Sequence, residues 1–255
     1  GREEPDAEGE SVFVFGEAMG ENLKGANAAP RAAPTPLPAF LSAPPTDTTP
    51  MRRVIRPSEA LELEEPALLS PVTDASGQRF RRGLLIHALL AALPDVAPDA
   101  RGDAAARYLA LRRIAEDDAA DITREVFAVL DHPDFAALFG PLSRSEVTIT
   151  AELAELGEGV RINGQIDRFA VTDDEILIAD FKTNRPPPQT PEKTPAIYRV
   201  QMALYRAALQ KLYPGKRVSC VLVWTDGARA MRLPDSALDE ALSRVASRQA
   251  AGTRH

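Results

Sequence analysis

The sequence predicts a mixed α/β domain, in which helices pack against a central sheet, preceded by an extended N-terminal segment. Three observations lead to this prediction. Apolar residues recur at helical spacing between residues 81 and 130, and three strand-like stretches follow between residues 145 and 181. A helix, an apolar strand and a last helix then complete the chain. Helices with one apolar face must cover another layer, and this order of elements favours a sheet covered by helices.

The bulk composition limits the class of protein. The chain has 255 residues and a hydrophobic fraction of 44%, enough for one large domain with a sizeable core. It contains no run of about 18 apolar residues that could span a membrane, and no signal peptide at its start. Cys220 is the only cysteine, which excludes an internal disulfide or a four-cysteine iron–sulfur cluster. We therefore expect a protein of the reducing cytoplasm.

Residues 1–60 are predicted to form an acidic, proline- and alanine-rich extended segment, and residues 61–255 the domain itself. A short β-like run occurs at residues 12–15. Seven prolines lie between residues 30 and 50, a composition that cannot make a packed core and is typical of an extended linker. Because the chain begins with Gly1, we expect it to be a piece of a longer protein.

The first half of the domain is predicted to be helical. Residues 81–93 have helical spacing, and Pro94 ends that helix. A second helical stretch is predicted from residue 103 to residue 130, and a short helix over 135–139.

The second half is predicted to contain the sheet. Strands are expected at residues 145–154, 161–171 and 175–181, with a turn at 172–174. Three prolines at 186–188 break the chain, and a helix follows over 195–212. An apolar strand at 217–225, a short partner strand at 231–233 and a helix over 236–249 complete the order.

Charged residues interrupt two of these apolar strands. Asp167 ends one apolar run, and Asp180 and Lys182 lie in the next. Because strand side chains alternate, Asp180 and Lys182 share a face and lie about 6–7 Å apart along the strand. Pairing across the turn could bring Asp167 beside Asp180, but the sequence does not fix the register. The alternative is a solvated ion pair, worth at most ~1 kcal/mol.

Two carboxylates and a lysine at strand ends have a specific chemical use. Carboxylate oxygens bind Mg²⁺ or Mn²⁺, which keep open positions for water and a phosphate oxygen. The lysine can orient the attacking water and offset the negative charge of the transition state. The pattern therefore points to phosphate chemistry as the functional alternative to a solvated ion pair.

The charge distribution favours an anionic substrate at this place. The net charge is −7, which argues mildly against a general nucleic-acid coat. Residues 181–217 nevertheless contain eight basic residues and one acidic residue, directly behind the Asp-x-Lys stretch. Residues 1–50 contain eight acidic and three basic residues. A basic region beside acidic groups could draw a phosphate backbone towards them.

Three further residues are candidates for the same site. His87 lies in an apolar helical stretch, where it is either a core histidine or a metal ligand. Gln201 and Tyr205 are spaced i, i+4 and share one face of the helix predicted over 195–212. That face is either the polar outer side of an amphipathic helix or a surface that contacts phosphates and bases.

Four ordered motifs together resemble a known family. They are RGLLIH at 82–87, GQIDR at 164–168, IADFKT at 178–183 and QMALY at 201–205. In this order they are similar to the RecB-type nucleases of the PD-(D/E)xK superfamily, and most of all to the C-terminal nuclease domain of AddA-type helicase–nuclease subunits of bacterial double-strand-break repair. The resemblance covers about residues 80–250 and implies a restriction-endonuclease-like core with a central mixed sheet flanked by helices.

The resemblance implies a role for each matching residue. His87, Asp167, Asp180 and the backbone carbonyl of Phe181 would hold the metal. Asp167, Asp180 and Lys182 would be the catalytic residues. Gln201 and Tyr205 would support the active site and the DNA strand. Outside the matching motifs, the positions of Arg185, Tyr198 and Arg199 in the basic region and on the same helix make them further candidates for contacting DNA or supporting the site. Glu146 lies where these nucleases often carry an acid at the start of the first core strand, and a plain strand-edge charge is an equally good interpretation.

The resemblance also implies a function. We expect a Mg²⁺-dependent deoxyribonuclease, with Mn²⁺ as a substitute, that cuts single strands delivered from DNA ends in a helicase–nuclease complex with an AddB-type subunit in the bacterial nucleoid. The sequence has no GxxxxGK[ST] pattern, so ATP would be used in a helicase region outside this chain, to which residues 1–60 would be the tether. The alternatives are a catalytically silent nuclease-like module that binds DNA or braces a partner, and a stand-alone endonuclease.

Overall fold

The computed structural model describes residues 2–5, 11–14, 53–60 and 74–252. The chain divides into two compact units, residues 1–48 and 49–255. In the first unit, β1 (Arg2–Pro5) pairs antiparallel with β2 (Ser11–Val14), which overlaps the β-like run predicted at 12–15. The proline-rich segment 30–50 lies outside the described residues, so its extended form stays a prediction.

Three helices precede most of the sheet in the second unit. They are α1 (Asp74–Ala92), α2 (Arg101–Leu111) and α3 (Glu116–Leu130). The helix predicted over 81–93 is confirmed and begins earlier. The short helix predicted over 135–139 is a 3-10 helix, Pro133–Leu138.

The single helical stretch predicted over 103–130 is wrong, because the chain breaks between α2 and α3. Arg113 has a φ of 57°. Its N–H donates to Ala110 O at 2.9 Å, and the Ile114 N–H donates to Leu109 O at 3.2 Å. These two hydrogen bonds, together with the left-handed conformation of Arg113, form a Schellman motif, which ends a helix. Glycine usually takes the left-handed position, and an arginine there leaves no sign in the sequence.

The sheet contains six strands among the described residues: β3 (Val54–Ile55), β4 (Ser143–Glu152), β5 (Arg161–Val171), β6 (Glu175–Lys182), β7 (Arg217–Trp224) and β8 (Arg229–Arg232). The order is β3-β5-β6-β7-β8, and β4 pairs with β5. β6 and β7 are parallel, as are β3 and β5, and the other pairs are antiparallel. The sheet is therefore mixed, as the sequence predicts.

Two further helices complete the domain, and the sheet has a core on each face. Helix α4 (Ala196–Leu212) connects β6 to the parallel strand β7, and α5 (Asp235–Gly252) ends the described chain. Ile176 and Ile178 pack with α4 and α5, whereas Ala179 and Phe181 pack with α1, α2 and α3. The predicted alternation of side chains along β6 is confirmed. Apolar side chains on both faces of this strand are buried away from water, which stabilises the fold.

Residues 54–59 lie on the sheet, although they fall on the tether side of the boundary predicted at residue 60. Val54 and Ile55 pair with Arg161 and Ile162 of β5, and a 3-10 turn, Pro57–Glu59, follows. The role of residues 1–60 as a tether stays a prediction. None of the described helices is long and apolar enough to cross a membrane.

Candidate active site

The strand register brings the two aspartates to neighbouring positions. Arg168 of β5 pairs with Ala179 of β6, so the next residues along the two antiparallel strands are Asp167 and Asp180. The backbone N–H of Phe181 donates to Asp167 Oδ2 at 2.7 Å. This contact holds the Asp167 carboxylate against the end of β6, and it answers the question of register that the sequence leaves open.

Helix α1 adds the histidine to this pair of strands. His87 Nδ1 lies 3.4 Å from Asp167 Oδ2, and the His87 ring meets the Phe181 ring edge-on at 5.9 Å. Burial lowers the pKa of His87, but the hydrogen bond and the charge of Asp167 outweigh burial and raise it. The structure therefore places His87 in a site with Asp167, rather than among apolar side chains alone.

Lys182 bridges β6 and helix α4. Its Nζ pairs with Asp180 Oδ2 and donates to Gln201 Oε1 at 3.1 Å, and it lies 4.1 Å from the centre of the Tyr198 ring. Asp180 is 3% exposed, and burial raises its pKa against the lowering effect of Lys182. The solvated ion pair considered for these residues is wrong, because both side chains are largely buried.

Gln201 and Tyr205 face the interior, where they support Lys182 and strand β5. They are 7% and 2% exposed, and the Tyr205 hydroxyl donates to Gln165 O at 2.7 Å. Burial raises the pKa of Tyr205 to about 12. The interpretation of this face as a polar outer side is wrong, because both side chains are buried. A role of Gln201 and Tyr205 towards DNA stays a prediction.

The three remaining basic and aromatic candidates make contacts in different places. Arg185 pairs with Glu125 of α3, and its Nε lies 3.5 Å from Asp226 Oδ1. The Tyr198 hydroxyl donates to Asn184 Oδ1 at 3.0 Å, next to Lys182. Arg199 points elsewhere and lines a cleft between α4 and α5 with Arg244 and Arg248. The structure brings Tyr198 to the site, holds Arg185 beside it and leaves Arg199 away from it.

Glu146 adds a third acid near the paired strands. Its backbone is left-handed, with a φ of 53°, at the point where β4 passes Asp167. Partial burial and the negative charge of Asp167 raise its pKa. Strain of this kind at a non-glycine residue is uncommon and concentrates at functional sites. Whether Glu146 acts in the site stays a prediction.

Sequence reasoning missed Glu125. It is 8% exposed and accepts hydrogen bonds from Arg82, Arg185 and Thr225. The sequence does contain a signal for Glu125, because this charged residue lies on the apolar face of α3 with Ile122, Val126 and Val129. Asp180 gives the same kind of signal, a charged residue inside an apolar strand.

The donor atoms suit a divalent cation in type. His87 supplies a nitrogen, and Asp167, Asp180 and the Phe181 carbonyl supply oxygens, which divalent cations of the Mg²⁺ and Mn²⁺ class accept. Within the described part of the chain, however, no group of three or more His, Cys, Asp or Glu side chains is close enough to hold a metal. His87 and Asp167 are together, and Asp180 pairs with Lys182.

The fold and the strand-end residues define a nuclease core: a mixed sheet flanked by helices, with paired aspartates and a lysine at its centre. The chain belongs to the PD-(D/E)XK nuclease superfamily, whose family model matches residues 58–254. Members of this superfamily typically use divalent metals.

Two individual proteins show what the chain is similar to. An ATP-dependent helicase/nuclease subunit from Streptococcus suis (strain 98HAH33) is 32% identical over 109 residues, which are 43% of this chain and 8% of that protein. The chain thus spans a small part of that relative. A crystal structure of a candidate exonuclease from Eubacterium rectale has a TM-score of 0.46 and 14% identity, covering 68% of this chain and 66% of the other.

Proposed function

We propose that the chain is a Mg²⁺-dependent deoxyribonuclease domain that hydrolyses phosphodiester bonds of single-stranded DNA. The observation that supports this most is the position of Lys182. Its Nζ is held between Asp180 and Gln201, on the strand whose end meets the His87–Asp167 pair. A buried lysine with its donors directed at a carboxylate and an amide is fixed in place, as a catalytic group must be.

Each of the site residues has a separate role in the proposed hydrolysis. His87, Asp167, Asp180 and the Phe181 carbonyl would hold the cation, with Glu146 as a further candidate. A bound divalent cation supplies positive charge at the phosphoryl oxygen and lowers the pKa of water. The Lys182 ammonium orients the attacking water and offsets negative charge in the transition state. Gln201 holds Lys182, and Tyr205 holds the adjacent strand.

Charge and the similarity to the Streptococcus suis relative support the substrate and the context that we propose. Of the eight basic residues in 181–217, Lys182 lies in the site and Arg185 is held beside it, and the Tyr198 ring lies next to Lys182. We propose that single strands from DNA ends reach the site from a helicase motor, in a complex with an AddB-type subunit in the bacterial nucleoid. Residues 1–60 would connect the motor to the domain.

A cleavage assay on single-stranded DNA with Mg²⁺ or Mn²⁺ tests the proposal. Asp180→Ala and Lys182→Ala should each abolish cutting, because the first removes a metal ligand and the second the cation that serves the transition state. Lys216→Ala is the matched control, because Lys216 lies before β7, at the opposite end of the parallel strands from Lys182. Cutting at the wild-type rate by either site variant would refute the mechanism.

The second candidate function is a catalytically silent module that binds DNA or braces a partner subunit. One observation favours it: among the described residues, no group of three His, Cys, Asp or Glu side chains is close enough to hold a metal. Calorimetric titration of the wild-type chain with Mg²⁺ and Mn²⁺ separates the two functions. Metal binding with cleavage supports the nuclease, and absence of both supports the silent module.

A further inference from the structure

Behind the candidate active site, one buried carboxylate connects three of the segments that build it. Glu125 belongs to α3 and is 8% exposed. Its Oε2 accepts a hydrogen bond from Arg82 of α1 at 2.6 Å and another from Arg185. Its Oε1 accepts from the hydroxyl of Thr225, directly after β7. None of the three donors lies on α3, so the carboxylate is a junction between separate parts of the chain.

The Glu125 carboxylate is ionised in the folded protein. Burial by itself raises the pKa of Glu125, but the hydrogen bonds from Arg82 and Thr225 and the positive charges of Arg82 and Arg185 outweigh burial and lower it. Losing a partner would leave this buried charge less well satisfied, which costs free energy. The three hydrogen bonds therefore favour one arrangement of the segments that meet at Glu125.

Thr225 connects this junction to the strand that carries Lys182. Thr225 is fully buried, at 0% exposure. Its backbone N–H donates to Lys182 O at 3.0 Å, and its hydroxyl oxygen lies 3.4 Å from the same carbonyl. A displacement of Thr225 would move the backbone of Lys182, and with it the ammonium that meets Asp180 and Gln201.

Arg82 connects the same junction to the helix that carries His87. The two residues are five positions apart, which is about 7.5 Å along a helix axis. Gly83 follows Arg82 and lies so close to the end of β6 that a Cβ there would be 3.0 Å from Thr183 Oγ1. Helix α1 and the residues after Lys182 are thus in contact beside Glu125.

We propose that Glu125 is a positioning residue of the active site. It holds Lys182 through Thr225, holds the His87 helix through Arg82, and keeps Arg185 at the edge of the site. Because it is buried and fully bonded, it acts through these residues and does not touch substrate. The catalytic part of this inference rests on the proposed nuclease function.

Steady-state kinetics on a short single strand, with saturating Mg²⁺, test the catalytic part. Glu125→Gln removes the charge, and Thr225→Val removes only a hydroxyl and keeps the backbone bond to Lys182. We expect kcat to fall about 10- to 100-fold in both, because small misplacements of catalytic groups have effects of that size. KM should stay nearly unchanged.

Asp121→Asn is the control, because Asp121 lies on the exposed side of the same helix, where it pairs with Arg124 at 2.9 Å. It should keep the wild-type kcat. Wild-type kcat in both Glu125→Gln and Thr225→Val, or a loss confined to KM, would overturn the proposal.

Amide hydrogen exchange tests the positioning itself without any cleavage. In Glu125→Gln and Thr225→Val, exchange should become faster in the peptides covering 182–187 and 224–226, and stay unchanged in Asp121→Asn. Unchanged exchange in these peptides would refute the positioning role. A wild-type chain that cuts no DNA, but whose variants show the faster exchange, would refute the proposed function and leave the positioning role standing.

Discussion

At Gly164 the domain has no space for a side chain. A Cβ at this position would lie 2.7 Å from Tyr205 Cε1 and 3.0 Å from Pro57 Cδ. Tyr205 is 2% exposed and its hydroxyl is bonded to Gln165 O, so the ring cannot move aside without losing that bond. Tyr205 of the QMALY motif can therefore pack in this position only if residue 164, in the GQIDR motif, is a glycine.

We expect Gly164→Ala to destabilise the domain by about 1–3 kcal/mol, the usual cost of an overpacked core. Urea unfolding measures the change in the free energy of unfolding. Gly102→Ala is the matched control, because no atom lies within 4 Å of a Cβ there and alanine favours a helix. Equal stability of Gly164→Ala and the wild type would show that Tyr205 does not pack as described.

At the level of the elements, the C-terminal end of α2 is closed by a residue type that is unusual in this conformation. Arg113 closes the helix in the left-handed region, with a φ of 57°. An L-residue with a side chain pays about 1–2 kcal/mol in that conformation, and glycine does not. The closure forms because its two backbone bonds satisfy carbonyls at the end of α2 and turn the chain into α3.

Arg113→Gly should therefore stabilise the domain, by about 0.5–1 kcal/mol once the greater freedom of glycine in the unfolded chain is subtracted. Thermal and urea unfolding measure this. Arg107→Gly, at an exposed position inside α2, should instead lower stability by about 1 kcal/mol. The two changes have opposite signs, and a loss of stability in Arg113→Gly would contradict the left-handed closure.

For the molecule as a whole, Glu125 makes stability depend on pH. Its pKa in the folded state is lower than its ordinary value of about 4.3, so the unfolded chain takes up a proton first as pH falls. The stability from Glu125 is complete above the unfolded pKa and is lost as pH falls through the folded pKa.

We therefore expect Glu125→Gln to destabilise the domain at pH 7 by about 1.5–3 kcal/mol, because it removes the charge that strengthens the hydrogen bonds from Arg82 and Arg185. The difference from the wild type should shrink only as the pH falls through the lowered folded-state pKa of Glu125, where the wild-type carboxyl also becomes neutral. Urea unfolding of both proteins at pH 7 and over a series of acidic pH values measures this. A difference that is independent of pH would mean that the charge of Glu125 contributes nothing to stability.

The sequence predicts the parts of this molecule that depend on local pattern. Alternation along β6 places Asp180 and Lys182 on one face, and the motifs identify His87 as their partner. The register of β5 on β6 needs the pairing of strands, which a local pattern does not contain. The inward face of Gln201 and Tyr205 needs the packing of α4, whose residues 200–209 are all buried.

Polar residues inside α4 show why that packing could not be predicted. Arg206 is 5% exposed, yet it is charged and would be assigned to an outer face. In the structure it pairs with Asp235 and Asp239 of α5, which come about 30 residues later in the chain. The periodicity of α4 itself cannot predict an ion-pair partner that lies so much further along the chain.

The separation of the site residues along the chain has a consequence for the timing of synthesis. Asp167 follows His87 by 80 positions, and Thr225 follows Glu125 by 100. Contacts between such distant positions form late in folding, because long loops must close first. While β7 is still inside the ribosome, neither Thr225 nor the strand that pairs with β6 is available to the emerged part of the chain. Any hydrolytic activity of this domain would therefore begin only after β7 has left the ribosome.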